Sequence, residues 1–452
     1  MNQNMTRRTF LAATPAGVGA AAYAQEAGGG GGWQAGVAKT AITPREPIWL
    51  AGYGARTKPS EGALHDIWTK ALAIRDGSGK TSVLVTAEIL GFGADMAATV
   101  AGRVEKKYGV PRERLVLSAS HTHSAPVTGQ VLRPAYEFDD RQAKVIDRYT
   151  ADLLDKVVDV VGAAIRDLAP AELAFGQGLA GFAVNRRSPN FPRPVDHDVP
   201  VLRVRSPEGK VRALVFGYAC HNTVLSGYEV TGDYAGFAQL AVEKEFPGAT
   251  ALFVAGCGAD ANPLPRRKVE LAVAYGQILA EATSQVAQGK MRPLAHPLKT
   301  AFERVDLAFE TPPTREELKQ RLTAAPAIRR HARHLLDIYE RDGRLPDRYP
   351  YPVQVWQFGS GASSPGLAWI ILGGEVVSDY ALRFKQQYGP GNSWVSGYSN
   401  DVFAYIPSLR VLKEGGYEGG GAMVPYGQPG PFRPSVEETI VAKVDELVRR
   451  TR

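Results

Sequence analysis

Cysteine is nearly absent: Cys220 and Cys257 are the only two in 452 residues. Two thiols cannot build a disulfide scaffold or a thiolate zinc cluster. Both are expected to be small buried residues, and because each ends a predicted strand, a bond between them in an oxidising compartment stays open. Also missing, beyond the N-terminal leader, is any run approaching the roughly 20 apolar residues of a membrane helix, so no transmembrane segment is expected and the mature chain reads as soluble. No dense Lys/Arg stripe interleaved with aromatics occurs, so the net charge of +7 reads as a mild surface property and no nucleic-acid partner is expected. What is present is ordinary for a globular chain, 44% hydrophobic and 22% charged, enough for one large or two modest domains.

The N-terminus has an ordered three-part pattern. Paired Arg7 and Arg8 precede Phe10 and Leu11, a weakly hydrophobic Ala/Gly-rich run follows, and Ala22-Tyr23-Ala24 forms a small-x-small cleavage site. This reads as a twin-arginine signal over 1–24, a flexible Gly-rich leader over 25–32, and a single domain over 33–452. The expected location is periplasmic or secreted. Twin-arginine substrates cross already folded and often carry a cofactor inserted beforehand, which favours a metal.

Three β-α-β units follow. Strands at 81–90 and 113–120 flank an amphipathic helix at 94–109; strands at 212–220 and 249–257 flank a helix over about 234–246; strands at 367–374 and 393–399 flank a helix at 375–389. This spacing implies parallel pairs. Further helices are predicted at 140–167, 267–288, 314–340 and 435–450, with antiparallel strands near 172–184, 199–206, 297–309 and 351–358. The fold class is α/β, a mixed β-sheet core sandwiched by helices, without internal repeats.

In open α/β sheets, chemistry gathers beyond the carboxyl ends of the strands. Here those ends carry His121 and His123; His221 followed by Asn222; Asp260 and Asn262 of "CGADANP"; and Glu375 after Gly373-Gly374. Each alone has a bland explanation: a histidine closing a strand is more often structural, and a carboxylate opening a helix suits its dipole. Jointly, three of the eight histidines and a glutamate at strand ends resemble a zinc set of two histidines and one carboxylate. His121 and His123 could be two ligands, one ligand and one catalytic neighbour, or polar turn residues.

The stretches "SHTHSAP", "NRRSP", "HNTVL", "GCGADANP", "GGE" and "GYSNDVFAYIPSLRVLKEGGYEGG" follow the order of the motifs of the neutral/alkaline ceramidases, and over roughly 33–425 the chain resembles their amino-terminal catalytic domain. The resemblance implies one zinc ion held by His121, His221, Glu375 and Tyr405. It also implies His123 facing the substrate, Asp260 orienting a ligand or moving a proton, and Arg186 and Tyr417 lining the pocket. The implied activity is cleavage of the amide of ceramide or another N-acyl compound, with oxyanion stabilisation from His123 and Tyr417. Two departures stand out: Asn262 replaces the family's signature serine beside the substrate, and the chain ends soon after Tyr417, so no carboxy-terminal immunoglobulin-like domain is expected. Alternatives are an ester or lactone hydrolase on the same site, an exported binding protein with a degenerate site, and cysteine catalysis by Cys257.

Overall fold

The computed structural model describes residues 32–359 and 366–452, so the twin-arginine segment and all but the last residue of the leader lie outside the described residues. Three sheets carry the fold, and each follows one plan. In the first, Gln34–Ala41, Trp68–Arg75 and Thr81–Ala87 run antiparallel in turn, and the helix Ala94–Tyr108 crosses over to Leu115–Ala119, parallel to Thr81–Ala87. In the second, Glu172–Leu179, Asp198–Arg205 and Val211–Tyr218 are followed by the helix Asp233–Glu245 and the parallel strand Thr250–Ala255. The third repeats the plan with Ala295–Ala308, Arg348–Gly359 and Leu367–Leu372, the helix Ser378–Tyr388, and the parallel strand Ser393–Ser396. A long helix closes each module (Asp140–Arg166, Val269–Gln288 and Val436–Thr451) and packs over its antiparallel strands.

The expected parallel pairs all form, one per sheet, and the mixed α/β class holds. A threefold structural repeat is present although the sequence shows none. Side-chain alternation explains how the sheets pack. Leu72, Ile74, Leu84 and Val116 from the first sheet, Leu202, Val215 and Val254 from the second, and Trp356, Trp369, Ile371 and Trp394 from the third share one inner core. Alternate residues point outward instead: Ala71, Val83 and Val85 join the core beneath the helices of the first module, and Leu214, Phe216, Ile370 and Leu372 join that of the other two. Strands buried on both faces read as the near-continuous apolar runs "TSVLVTA" and "LAWIIL".

Two expectations are corrected. The helix at 314–340 is two, Arg315–Arg321 and Pro326–Asp342, because Pro326 lacks the N–H a continuous helix needs and sits instead in a first turn. The helix expected from 375 begins at Ser378; Glu375–Val376 is a short strand parallel to Tyr405–Ile406. Among the described residues, no helix is long and apolar enough to cross a membrane. Cys220 and Cys257 are buried and free, and burial pushes both thiols well up, which leaves no thiolate for catalysis and removes the disulfide.

Candidate metal centre

The crossover strands of the three modules deliver their carboxyl ends to one place. His121 follows Leu115–Ala119, His221 follows Val211–Tyr218, and Glu375 follows Leu367–Leu372, one from each sheet. His121 sits at φ 63, a left-handed conformation uncommon outside glycine, and its N–H donates to Ile89 O at 3.0 Å. Gly374, at φ 70, turns the chain so that Glu375 pairs beside Tyr405; a Cβ there would stand 2.9 Å from Ala404 O.

The donor atoms converge. Glu375 Oε2 is 3.1 Å from His121 Nε2 and 3.0 Å from His221 Nε2, and Tyr405 Oη is 3.1 Å from His221 Nε2. Donors held tetrahedrally on one zinc stand about 3.3 Å apart, so this spacing suits a shared ion. The tautomers argue the same way. His121 Nδ1 lies 2.7 Å from Leu90 O and His221 Nδ1 2.9 Å from Gly258 O, so each Nδ1 carries the proton and donates it. Each Nε2 therefore turns a lone pair toward a carboxylate oxygen that is itself an acceptor. Only a cation between them, a proton or a metal ion, makes that arrangement stable, and two imidazoles, a carboxylate and a phenol are donors that zinc accepts. Burial drives the imidazolium pKa of His221 down to about 4, with the charge of Arg186 adding to the shift. Burial opposes ionisation of Glu375, but positive charge shared with His121 and His221 at this point holds its carboxyl well below the usual range. The cluster is thus arranged to share a cation at one point, a place that a metal ion could take.

His123 is the least buried of the three histidines. Its Nε2 lies 3.1 Å from His121 Nε2, and its Nδ1 has no hydrogen-bond partner. The three histidines offer nitrogens within 4.8 Å of one another, so His123 is placed both to face a substrate and to reach a metal. Arg186 Nη2 donates to Tyr405 Oη at 2.9 Å and Nε to Glu418 at 2.7 Å, while Arg187 holds the other Glu418 oxygen at 2.8 Å. Asn262 Oδ1 stands 3.4 Å from both Arg186 Nη1 and Thr223 Oγ1. Tyr417 is 46% exposed and packs edge-on to Tyr405 at 5.2 Å between centroids. Asp260 is spent on bracing: Oδ1 accepts from Ser378 N and Oγ, and Oδ2 from Asn185 Nδ2 at 2.8 Å. It ties the Glu375 segment to the Arg186 loop and reaches no donor of the cluster directly.

Sequence reasoning missed several neighbours. The Tyr426 hydroxyl donates to Glu375 Oε1, the Tyr398 ring packs on His121 at 4.4 Å, and Tyr53 packs edge-on to His123 at 4.9 Å. Tyr398 and Glu418 lie inside motifs already singled out. Tyr53 comes from a loop and Tyr426 from the end of the short helix Met423–Tyr426, neither with a local signal.

A family model described as neutral/alkaline non-lysosomal ceramidase, N-terminal, matches residues 33–263, about half of the chain, a span holding His121, His123, Arg186, His221, Asp260 and Asn262. A neutral ceramidase of Mycobacterium tuberculosis (strain ATCC 25618 / H37Rv) is 27% identical over 224 residues, 45% of this chain but only 34% of that relative. The fold is similar to a solved structure described as a ceramidase complexed with C2, with TM-score 0.72, 16% identity, and coverage of 93% of this chain and 75% of that one. It is similar too to a neutral ceramidase from Pseudomonas aeruginosa, with TM-score 0.72, 17% identity, and coverage of 93% and 74%. The chain belongs to the neutral/alkaline non-lysosomal ceramidase family.

Proposed function

We propose that the protein is a zinc-dependent hydrolase that cleaves the amide of an N-acyl substrate, lipid-like on its acyl side. The observation that carries this reading is the set of lone pairs on His121, His221 and Glu375 turned toward one point, with Tyr405 beside them. These four residues would hold the ion. Bound zinc supplies Lewis acidity and lowers the pKa of a water to about 7. The protein's own groups do the rest. Tyr405 is kept in place by Arg186, whose charge opposes the upward push of burial on the phenol. His123, held well below its ordinary pKa by burial and by the two other imidazoles, is neutral and can donate a hydrogen bond to the substrate carbonyl or pass a proton toward the leaving amine. Tyr417, the exposed hydroxyl beside Tyr405, is the second donor toward the oxyanion. Asp260 acts through Ser378 and Asn185 as a positioning residue. The twin-arginine pattern at 1–24 supports export by that route as part of the same reading.

Zinc measured in freshly purified protein, beside hydrolysis of a panel of N-acyl amides and esters that includes ceramide, tests this. About one zinc per chain is expected, with loss of both metal and activity in His121→Ala and His221→Ala. Full zinc occupancy in the double variant would overturn the ligand set, and turnover of esters alone would overturn the amidase reading.

A further inference from the structure

The chain leaving Asn262 continues into Arg266-Arg267-Lys268, and this segment returns to the metal centre on its His123 side. Arg267 adopts φ 85, and its N–H donates to Val224 O at 2.7 Å, pinning it to the loop that begins with His221. Its Nη1 donates to the Tyr53 hydroxyl at 3.0 Å, and its guanidinium lies 5.3 Å from the Tyr53 ring. That ring is the one packed against His123. A buried guanidinium, Arg56, stands 5.0 Å from the same ring and is hydrogen-bonded only to the carbonyls of Ala51 and Gly227.

Among the described residues, none of Arg56, Arg266, Arg267 and Lys268 forms an ion pair with a carboxylate. Asp233, whose carboxyl feels the charge of Arg267, is buried and spends its oxygens on the N–H groups of Val224, Leu225 and Tyr234. Across the site the arginines are ion-paired: Glu418 takes Arg186 and Arg187, Glu414 takes Arg187 and Arg410, and Asp379 takes Arg410. Burial lowers the pKa of partly buried Arg266, and the like charge of Arg267 adds to the shift, so the two guanidinium groups crowd one another. A neutral amide would not use this excess. A carboxylate would, because a guanidinium fork binds its two oxygens together, and a cluster of cations without ion-paired carboxylates raises the local concentration of anions.

We propose that the amine half of the substrate carries a carboxylate held by Arg266 and Arg267: an N-acyl amino acid, with Asn262 in place of the family's serine. The assignment rests on the amidase reading above. In the reaction, water adds its oxygen to the acyl carbon, the C–N bond breaks, and the nitrogen leaves with a proton as a free amino acid beside the fatty acid.

The test compares N-dodecanoylglycine with its neutral analogue N-dodecanoylethanolamine, by equilibrium binding and by turnover, in the parent protein, Arg267→Gln, and Arg266→Gln/Arg267→Gln. The parent is expected to bind the carboxylate roughly tenfold more tightly. The ratio should fall to near one in the double variant, and in the parent at about 1 M salt, where the screening length is about 3 Å. A merely structural loss would weaken both compounds alike and leave the ratio standing. Equal binding of the two compounds to the parent, or a preference that survives the double substitution, overturns the proposal. Preference in binding without turnover of either amide upholds it and overturns the hydrolase reading instead.

Discussion

His121 shows how much one residue's conformation carries. Its left-handed backbone and the Nδ1 contact to Leu90 O aim its Nε2 lone pair at the cluster, and the equivalent contact to Gly258 O aims that of His221. Glu375 is held from behind by Tyr426, whose hydroxyl contact on Oε1 leaves Oε2 for the imidazoles. Tyr426→Phe is therefore expected to weaken zinc binding about 10- to 100-fold, as competition with a chelator would measure. Asp401 titrates apart from the cluster. Burial raises its pKa from 3.8 to about 7; Tyr349 donates to Oδ2 at 2.7 Å, and Oδ1 has no side-chain partner among the described residues. A folded pKa above the unfolded one means the native state holds the extra proton, so this contribution to stability is full below pH 3.8 and is lost as pH rises through about 7. Melting temperatures across that window should show the parent losing ground to Asp401→Asn as pH rises; a difference constant with pH would refute it. At this scale His121, His221 and Glu375 were legible from strand ends alone. Tyr405 entered through the family resemblance, and Tyr53, Tyr426 and Arg267 could not be found because nothing local in their segments points to the cluster.

Among the elements, the shortest matter most. Glu375–Val376 and Tyr405–Ile406 form a two-residue parallel pair that sets a carboxylate beside a phenol. The helix read at 375–389 would have turned Glu375 away, and the apolar periodicity that suggested it belongs to the segment from Ser378 onward. The pair depends on Gly374, where a side chain would meet Ile406 Cγ1 at 2.7 Å and force strain at positive φ. Gly374→Ala is expected to cost about 1–3 kcal/mol and to lower zinc content, measured by denaturant unfolding and metal analysis on the same sample. Unchanged zinc occupancy would show that the strand pair does not set the ligands. Longer elements were readable: three β-α-β units and three of the four further long helices occur where the 2-residue and 3.6-residue periods place them, and the one long helix that failed was broken at a proline.

Across the whole molecule, three copies of one module turn the carboxyl ends of their parallel strands toward a common centre, which is why His121 and Glu375, more than 250 positions apart, meet within 3.1 Å. The inner core shared by the sheets holds them there. Trp369 stacks on Trp394 at 4.1 Å, meets Trp356 edge-on at 5.9 Å, and donates to Ser396 Oγ at 3.1 Å. Trp369→Ala is expected to destabilise the protein by about 3–5 kcal/mol in denaturant unfolding and to loosen the site as the sheets lose registry.

Sequence alone determined the elements, the parallel pairing within each unit and the strand-end positions of His121, His221 and Glu375, because periodicity and spacing along the chain are local properties. It also supplied, through ordered motifs, the family that the comparisons show. Tertiary structure decided the threefold arrangement of the sheets, the tautomers set by carbonyls of distant loops, the bracing role of Asp260, and the gathering of Arg56 and Arg267 on the Tyr53 ring that packs against His123. Each of these depends on contacts between segments far apart in the chain, whose geometry exists only once the three inner sheet faces have buried one another.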